Sequence, residues 1–132
     1  MKTKEDIVNN WLPRYTGNKI SDFGEYILLT NFSNYVKMFA DWNGVEVVGT
    51  DRPMQCATAN NISIINFGMG SPGAATVMDL LSAINPKAVL FLGKCGGLKK
   101  RNKIGDLIFP SRGTGPASFC AAESDQYHYQ GS

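Results

Sequence analysis

Two stretches decide the fold: ISIINFGMGSPG at Ile62–Gly73 and AVLFLGKCGG at Ala88–Gly97. Each begins with an apolar run that predicts a β-strand, and each run passes directly into a glycine-rich turn. The residues between them have one apolar helical face, made of Ala74, Val77, Met78, Leu81 and Ile84. Two strands joined by one crossover helix form a parallel βαβ unit, which places both turns at the carboxyl edge of one sheet. Open α/β sheets bind ligands at that edge, so the two turns are the candidate site.

The composition indicates one soluble domain. The chain has 132 residues, of which 43% are hydrophobic and 18% charged, and its formal net charge is +2. Such a charge favours neither nucleic acid nor an anionic membrane as a partner. The polar start and the absence of an apolar run near ~20 residues predict neither a signal peptide nor a membrane helix. The spacing of Cys56, Cys95 and Cys120 fits neither disulfides nor a zinc site, and His128 is the single histidine. We therefore expect a cytoplasmic protein without a bound metal.

The other predicted elements are, in chain order, a helix over Lys4–Leu12, strands over Tyr26–Leu29 and Val45–Val48 with a helix between them, a hairpin of Gln55–Ala59 with Ile62–Phe67, and a strand over Gly105–Pro110. Thr3 can cap the first helix, which Pro13 is expected to end. Asn31 or Ser33 can cap the second helix. The pair Asn60-Asn61 suits the hairpin turn, because asparagine tolerates positive φ.

The strand Ala88–Leu92 contains no polar residue. This composition predicts a central parallel strand that is covered on both faces. The helix before it is expected to begin near Gly73 and to stop at Asn85-Pro86, because proline disfavours helical geometry in the residue before it. After Pro110 the sequence has no clear period, which predicts a loosely ordered tail.

The first glycine turn can bring bare backbone close to a ligand. Gly68 and Gly70 are followed by Ser71 and by a helix whose first N–H groups and partial positive charge suit a phosphate or another anion. The turn is neither a dinucleotide fingerprint nor a P-loop, because the acidic residue of the first and the Gly-Lys-Ser/Thr of the second are missing. Tight turns that only let helix and sheet pack remain an equal alternative.

In the second turn, Gly93, Gly96 and Gly97 surround Lys94. A lysine directly after a buried strand is oddly placed for core packing, and its ammonium can add a positive charge beside the first turn. The alternative is a lysine whose side chain simply reaches solvent. Cys95 is more often a small packing residue than a nucleophile.

Three segments together carry a family resemblance. Gly68–Ala75, Leu92–Leu98 and Ile104–Ile108 resemble, in order and spacing, the nucleoside phosphorylase and nucleosidase superfamily. With a lysine in its second loop, the sequence is most similar to the bacterial AMP nucleosidases within that superfamily. The resemblance implies a three-layer α/β/α fold around a mixed, partly barrel-like sheet, cleavage of an N-glycosidic bond, and no metal or organic cofactor.

The resemblance also implies roles for single residues. Gly70 and Ser71 match the loop beside the ribose and phosphate, and Lys94 stands where relatives place a hydroxyl residue that touches either group. Cys95 and Gly96 match backbone that lies along the purine. Asn31 follows the first strand, where relatives often have a phosphate or catalytic contact. The complete set of predicted binding residues is Asn31, Gly68, Gly70, Ser71, Gly93, Lys94, Cys95 and Gly96; no catalytic residue is assigned.

Two departures from the family pattern affect the predicted function. Thr30–Tyr35 replaces a Gly-Asp-Pro segment and its phosphate-binding arginine, which argues against a simple phosphorylase. The resemblance covers Tyr26–Pro110, and the Met-Glu pair and the aspartate that relatives supply later are not found in Ser111–Ser132. We therefore expect residues 1–110 to form the first half of the family domain, residues 111–132 to form an irregular tail, and the chain to be truncated.

Three functions remain open at this point. The first is hydrolysis of AMP to adenine and ribose 5-phosphate, although the catalytic groups of the second half are absent. The second is an inactive half-domain with at most weak nucleotide binding, and the third is a purine nucleoside phosphorylase. The expected partners are a purine nucleotide or nucleoside, with phosphate possible, and further copies of the same chain; nucleic acid and membranes are not expected.

Overall fold

The computed structural model describes residues 2–110 and 124–125. Its contacts divide the chain into two compact units, Met1–Lys94 and Cys95–Ser132. The helices of the first unit are α1 (Lys4–Thr16), α2 (Ser33–Asn43) and α3 (Gly70–Leu81), with a short 3-10 helix at Ile20–Asp22. Its strands are β1 (Tyr26–Thr30), β2 (Cys56–Ala59), β3 (Ile62–Asn66) and β4 (Ala88–Leu92). The predicted α/β class is confirmed.

The four strands form one mixed sheet in the order β2-β3-β1-β4. β1 is parallel to both β3 and β4, with Thr30 opposite Asn66 on one side and Leu92 on the other. β2 is antiparallel to β3. The predicted parallel β3–α3–β4 unit is confirmed, but its crossover passes over β1, which lies between the two strands. All three parallel strands therefore end at the same edge.

Helices cover both faces of this sheet. On one face, Ile27, Leu29 and Ile65 pack with Leu12 of α1 and Val77 of α3. On the other, Ile64 packs with residues of α2 that include Val36 and Ala40. Side chains alternate between the faces of a strand, so neighbouring residues of β1 and β3 serve different helices. This arrangement confirms the predicted three-layer α/β/α fold.

The hairpin of β2 and β3 forms as its sequence predicts. Asn60 and Asn61 take φ values of 51° and 64°, in the left-handed region that asparagine tolerates. The Asn61 side chain also accepts a hydrogen bond from the Glu25 backbone N–H at 3.0 Å. The turn therefore holds the start of β1 beside the start of β3.

The first helix is longer than predicted. Thr3 caps it with a capping box, as expected, but α1 continues through Pro13 to Thr16. The Gly17 N–H donates to the Pro13 carbonyl at 2.8 Å, and the buried Thr16 hydroxyl donates to the Leu12 carbonyl at 2.8 Å. These bonds satisfy the Leu12 and Pro13 carbonyls in the last turn of the helix. The prediction that Pro13 ends the helix is therefore wrong.

The start of α2 also differs from the prediction. Neither Asn31 nor Ser33 caps this helix, because Phe32 occupies the capping position with an extended backbone and no side-chain hydrogen bond. The buried hydroxyl of Thr30 accepts the Phe32 N–H at 3.1 Å. The helix ends at Asn43, and the next residue, Gly44, takes the left-handed conformation.

Three strand predictions need correction. Val45–Val48 is not a strand: only Val48 makes a bridge, to Cys56, while Val45 and Val47 pack against the α2 cluster. β4 is not covered on both faces, since all five of its residues are exposed and it ends the strand order in the described part of the chain. The predicted strand Gly105–Pro110 is reduced to Phe109–Pro110, because residues 103–106 form a turn in which Asp106 accepts the Lys103 N–H at 2.9 Å.

The bounds and face of α3 are shifted from the prediction. The helix begins at Gly70 and ends at Leu81 rather than running from Gly73 to Asn85. Its buried residues are Val77, Leu80 and Leu81, whereas Met78 is 51% exposed. After Leu81 the backbone continues as turns, and Asn85 takes a positive φ of 46°. The shift moves the helix start into the first glycine turn.

The second unit has its own short sheet. Within its described residues, β5 (Phe109–Pro110) pairs in antiparallel fashion with β6 (Ser124–Asp125). The predicted tail 111–132 lies mostly outside the described residues, and the predicted boundary at Pro110 stays a prediction. No helix in the described part of the chain has the length and apolar character needed to cross a membrane.

A surface cluster at the start of the sheet makes stability depend on pH. The Glu25 carboxylate accepts from Lys87 Nζ and from Asn61 Nδ2, each at 2.9 Å. These bonds, chiefly the one from Lys87, lower the pKa of Glu25 from 4.5. The resulting stabilisation is present above pH 4.5 and is lost as the pH falls through the lowered pKa.

We expect Glu25→Gln to remove this part of the acid sensitivity. The change in unfolding free energy should be small, because all three groups are exposed to solvent. Urea unfolding at neutral and acidic pH, in the presence and absence of Lys87→Met, measures the coupling. An acid sensitivity that is identical in all four proteins would contradict the role of this pair.

Candidate functional site

A cleft of about 530 Å³ opens where β1, β4 and α3 meet. This volume lies within the ~300–1,000 Å³ usual for small-molecule sites. Its lining residues come from β1, the first glycine turn, α3 and β4: Leu29, Asn31, Phe67, Gly70, Ser71, Ala74, Met78, Val89 and Phe91. The cleft therefore includes the carboxyl edge of the sheet, at which a ligand site is predicted from the sequence.

The floor of the cleft is apolar. Leu29 lies opposite Phe91 in the β1–β4 register, and the rings of Phe67 and Phe91 are 5.8 Å apart between centroids, at 53° to each other. A Cβ at Gly93 would come within 2.7 Å of the Phe91 ring, so the glycine leaves room for that ring. Two aromatic rings in a tilted arrangement offer a surface on which a flat heterocycle can stack.

One acceptor in the cleft has no partner. Asn31 Oδ1 is buried and makes no hydrogen bond within the described residues, while Asn31 Nδ2 donates to Met69 Sδ at 3.6 Å. Leaving such an oxygen unpaired costs free energy, and the cost is removed when a hydroxyl or amino group donates to it. A buried acceptor at the wall of the cleft therefore favours a ligand whose donor reaches it when the Asn31 side chain turns toward the cleft.

The start of α3 adds donors at the same edge. Gly68 and Gly70 have φ values of 81° and 85°, and the Gly68 N–H donates to Asn66 Oδ1 at 3.0 Å. Met69 caps the helix without a side-chain hydrogen bond, so the first N–H groups of α3 are not satisfied by a cap. Ser71 stands in this first turn and lines the cleft.

Both readings of the first glycine turn have a counterpart in the structure. A Cβ at Gly73 would lie 2.8 Å from the Phe67 carbonyl oxygen, so this glycine serves close packing of the helix. Gly68 has open space where a Cβ would lie, and its positive φ is the constraint on that position. Packing therefore explains Gly73, whereas Gly68 and Gly70 shape the turn.

Lys94 lies on the α2 side of the sheet edge. Its Nζ is 4.8 Å from the centroid of the Phe32 ring and 5.5 Å from that of Tyr35, and Lys94 is not part of the cleft lining. Asn31 and Phe32 are consecutive, however, so one peptide unit links the cleft to the residue that carries the ammonium. The Lys94 ammonium and the cleft therefore both contact residues that directly follow β1.

The structure thus divides the predicted binding residues into groups. Asn31, Gly70 and Ser71 meet in the cleft. Gly68 lies in the turn before it, and Gly93 lies behind the Phe91 ring. Lys94 contacts the aromatic pair. The binding roles of all these residues stay predictions.

Cys95 and Gly96 belong to the second unit. Both are exposed. The expectation that Cys95 is a packing residue is therefore wrong, because its side chain is not buried against its described neighbours. The buried Cys56 is a poor nucleophile, because burial raises the pKa of its thiol to about 12.

Most of the cleft floor was not predicted from the sequence. Phe67, Val89 and Phe91 line it, although they were assigned only to strands. The two-residue period of β-strands is the signal that could have identified these residues. When β1 and β4 pair in the observed register, Phe91 lies beside Leu29 and on the same face of the sheet. The described residues contain no group of three His, Cys, Asp or Glu side chains placed to hold a metal ion.

Comparison with protein families assigns the chain to a family. The model of the phosphorylase superfamily matches residues 25–130. The chain belongs to the phosphorylase superfamily. This assignment confirms the family that the three motifs predicted.

Three AMP nucleosidases are similar to this chain. AMP nucleosidase of Escherichia coli strain K12 is 26% identical in an alignment covering 74% of this chain and 28% of that protein, and the enzyme of E. coli O157:H7 gives the same values. The crystal structure of AMP nucleosidase from Bacteroides thetaiotaomicron VPI-5482 is 62% identical, with a TM-score of 0.71, over 74% of this chain and 42% of that one. This chain therefore spans less than half the length of these relatives.

Proposed function

We propose that this chain binds a purine nucleotide of the AMP type across the carboxyl edge of its sheet. One observation carries the proposal: Asn31 lines the cleft, and the next residue, Phe32, lies under the Lys94 ammonium. A nucleotide has a heterocycle with flat aromatic faces, hydroxyl donors and an anionic phosphate. The apolar floor, the unpaired Asn31 oxygen and Lys94 offer one complementary group to each.

In this arrangement the purine stacks against Phe67 and Phe91. A base on an aromatic side chain contributes roughly 1–3 kcal/mol in nucleic-acid complexes, and every purine has such a face. A ribose hydroxyl donates to Asn31 Oδ1, and the first N–H groups of α3 face the oxygen-rich part of the sugar phosphate. Lys94 pairs with the 5′-phosphate as a point charge.

The proposed chemistry is hydrolysis of the N-glycosidic bond of AMP. The oxygen of water bonds to the anomeric carbon, the bond from that carbon to the purine nitrogen breaks, and its electrons stay with the purine. The purine takes up a proton, the water loses one, and the products are adenine and ribose 5-phosphate. The step requires a general acid near the purine and groups that stabilise a positively charged sugar.

A second candidate is binding without turnover. The lining residues of the described cleft include no carboxylate, imidazole or ammonium group. A leaving purine therefore has no general acid of these kinds among the lining side chains, which favours a chain that holds the nucleotide but does not cleave it. Binding is common to both candidates, so binding is tested first.

Calorimetry with AMP, adenosine and adenine tests the binding proposal. We expect AMP to bind more tightly than adenosine, because only AMP carries the phosphate. The absence of heat for all three ligands at millimolar concentration would overturn binding by this chain.

Chromatography of the same mixtures separates the two candidates. Release of adenine from AMP in proportion to protein concentration supports hydrolysis, whereas unchanged AMP alongside measurable binding supports the second candidate. Phosphate-dependent release of hypoxanthine from inosine would instead identify a phosphorylase.

We also propose that copies of this chain associate. β4 is exposed along its length, with Leu90 at 47% and Phe91 at 57%, and it carries no charged residue. An apolar strand at the end of a sheet favours pairing with another chain. Sedimentation over a range of protein concentrations tests association, and a monomer throughout that range would contradict it.

A further inference from the structure

The β1–β4 register places Phe32 beside Lys94. Thr30 and Leu92 are the last paired residues of these parallel strands. Two further steps along each chain reach Phe32 and Lys94, which a continued register would also pair. Because strand residues alternate between faces, both side chains return to the face that carries α2. The contact between them is the one expected when this alternation continues past the ends of the two strands.

Main-chain hydrogen bonds and ring packing position the aromatic pair, Phe32 and Tyr35. The buried Thr30 hydroxyl accepts the Phe32 N–H at 3.1 Å, and the Phe32 carbonyl accepts the Tyr35 N–H at 3.1 Å. The two rings meet edge to face, with 5.5 Å between centroids and 61° between planes. Tyr35 also packs against the buried α2 cluster that contains Val36 and Ala40. The rings therefore have a fixed position relative to the end of β1.

Lys94 lies within cation–π range of both rings. The distances of 4.8 Å to Phe32 and 5.5 Å to Tyr35 are inside the ~6 Å over which an ammonium is attracted to an aromatic face. Lys94 is an exposed residue, so part of its ammonium stays open to an incoming anion. A flexible lysine must otherwise lose rotamer freedom when it binds a ligand.

We infer that Phe32 and Tyr35 are positioning residues that pre-order Lys94 for an anionic group of the ligand. The inference rests on the proposed function for the identity of that group, the 5′-phosphate of the nucleotide. The two rings act through Lys94 and do not touch the phosphate themselves. Their contribution is confined to ligands that carry the phosphate, and adenosine binding is independent of them.

Reductive methylation with ¹³C-formaldehyde tests the position of Lys94 without any nucleotide. The reaction turns lysines into dimethyl-lysines that keep their positive charge, and the loss of one signal in Lys94→Arg assigns the Lys94 resonance. We expect an upfield ring-current shift of the Lys94 methyl signal. The shift should be lost in Tyr35→Leu together with Phe32→Leu, and kept in Tyr35→Phe. A Lys94 signal at the position of the other exposed lysines overturns the inference, whatever the chain binds.

Affinity for AMP and for adenosine tests the consequence. Tyr35→Leu should weaken AMP binding about three- to tenfold, which is the effect of freeing one long side chain, and leave adenosine unchanged. Tyr35→Phe should restore the affinity. In Lys94→Met, the further change Tyr35→Leu should have no effect on AMP. Equal weakening of AMP and adenosine, with the fold intact by circular dichroism, would overturn the positioning role. A ring-shifted Lys94 without AMP binding would contradict the proposed function and leave the aromatic positioning in place.

Discussion

The variant Gly49→Ala is expected to lower the free energy of unfolding by about 3 kcal/mol or more. Gly49 has a φ of 75°, and a Cβ at this position would overlap the carbonyl oxygen of Thr16. Thr16 is fully buried at the end of α1, so it cannot move aside without disturbing Leu12 and the core below it. The variant combines backbone strain with a clash against fixed main-chain atoms.

Gly44→Ala is the matched control. Gly44 has a similar φ of 64°, but nothing lies within 4 Å of the Cβ that the substitution would add. This variant should lose only the conformational term, about 1 kcal/mol. Urea unfolding followed by circular dichroism measures both. Equal losses in the two variants would show that the contact with Thr16 contributes nothing.

The largest expected change in binding comes from Lys94→Met. Methionine keeps much of the length of the side chain and removes its charge. A hydrogen bond to a charged group contributes about 1.5–3 kcal/mol, so the affinity for AMP should fall roughly ten- to a hundredfold. Adenosine should bind as before, because it has no phosphate to lose.

Lys37→Met serves as the control for this prediction. Lys37 is an exposed lysine of α2, and its removal changes the net charge by the same amount. Calorimetry at two salt concentrations separates a local contact from a general charge effect, because a general effect is screened by salt and is shared by both variants. An equal loss in the two variants would contradict a specific role for Lys94.

The β3–α3–β4 unit could be predicted because its signals are local. Apolar runs, the glycines after them and the helical spacing between them all lie within Ile62–Gly97. The position of β1 could not be predicted in this way, since it depends on pairing with strands that lie far along the chain. The exposure of β4 follows from the same pairing. Its apolar sequence is typical of a covered strand, but composition does not determine which strand ends a sheet.

The candidate site could be predicted in part. Asn31, Gly70 and Ser71 follow strand ends or open a helix, and the topology brings them into one cleft. The direction of Lys94 was left open between ligand and solvent, and the decisive contacts come from Phe32 and Tyr35, more than 50 residues earlier in the chain. The ends of helices were difficult to predict. The helix α1 continues past Pro13, and main-chain and side-chain hydrogen bonds close its last turn.

The central place of β1 has a consequence for synthesis of the protein. β1 is complete at Thr30, but its partners β3 and β4 end at Asn66 and Leu92. At a translation rate of about 5–20 residues per second, the ribosome needs roughly 3 to 12 seconds after β1 before β4 has been made. Until Asn66 has been made, the nascent apolar strand β1 has neither neighbour in place, and until Leu92 has been made it still lacks β4. We expect molecular chaperones to engage the emerging chain there, and slowing of translation between the codons for β1 and β4 to increase the insoluble fraction.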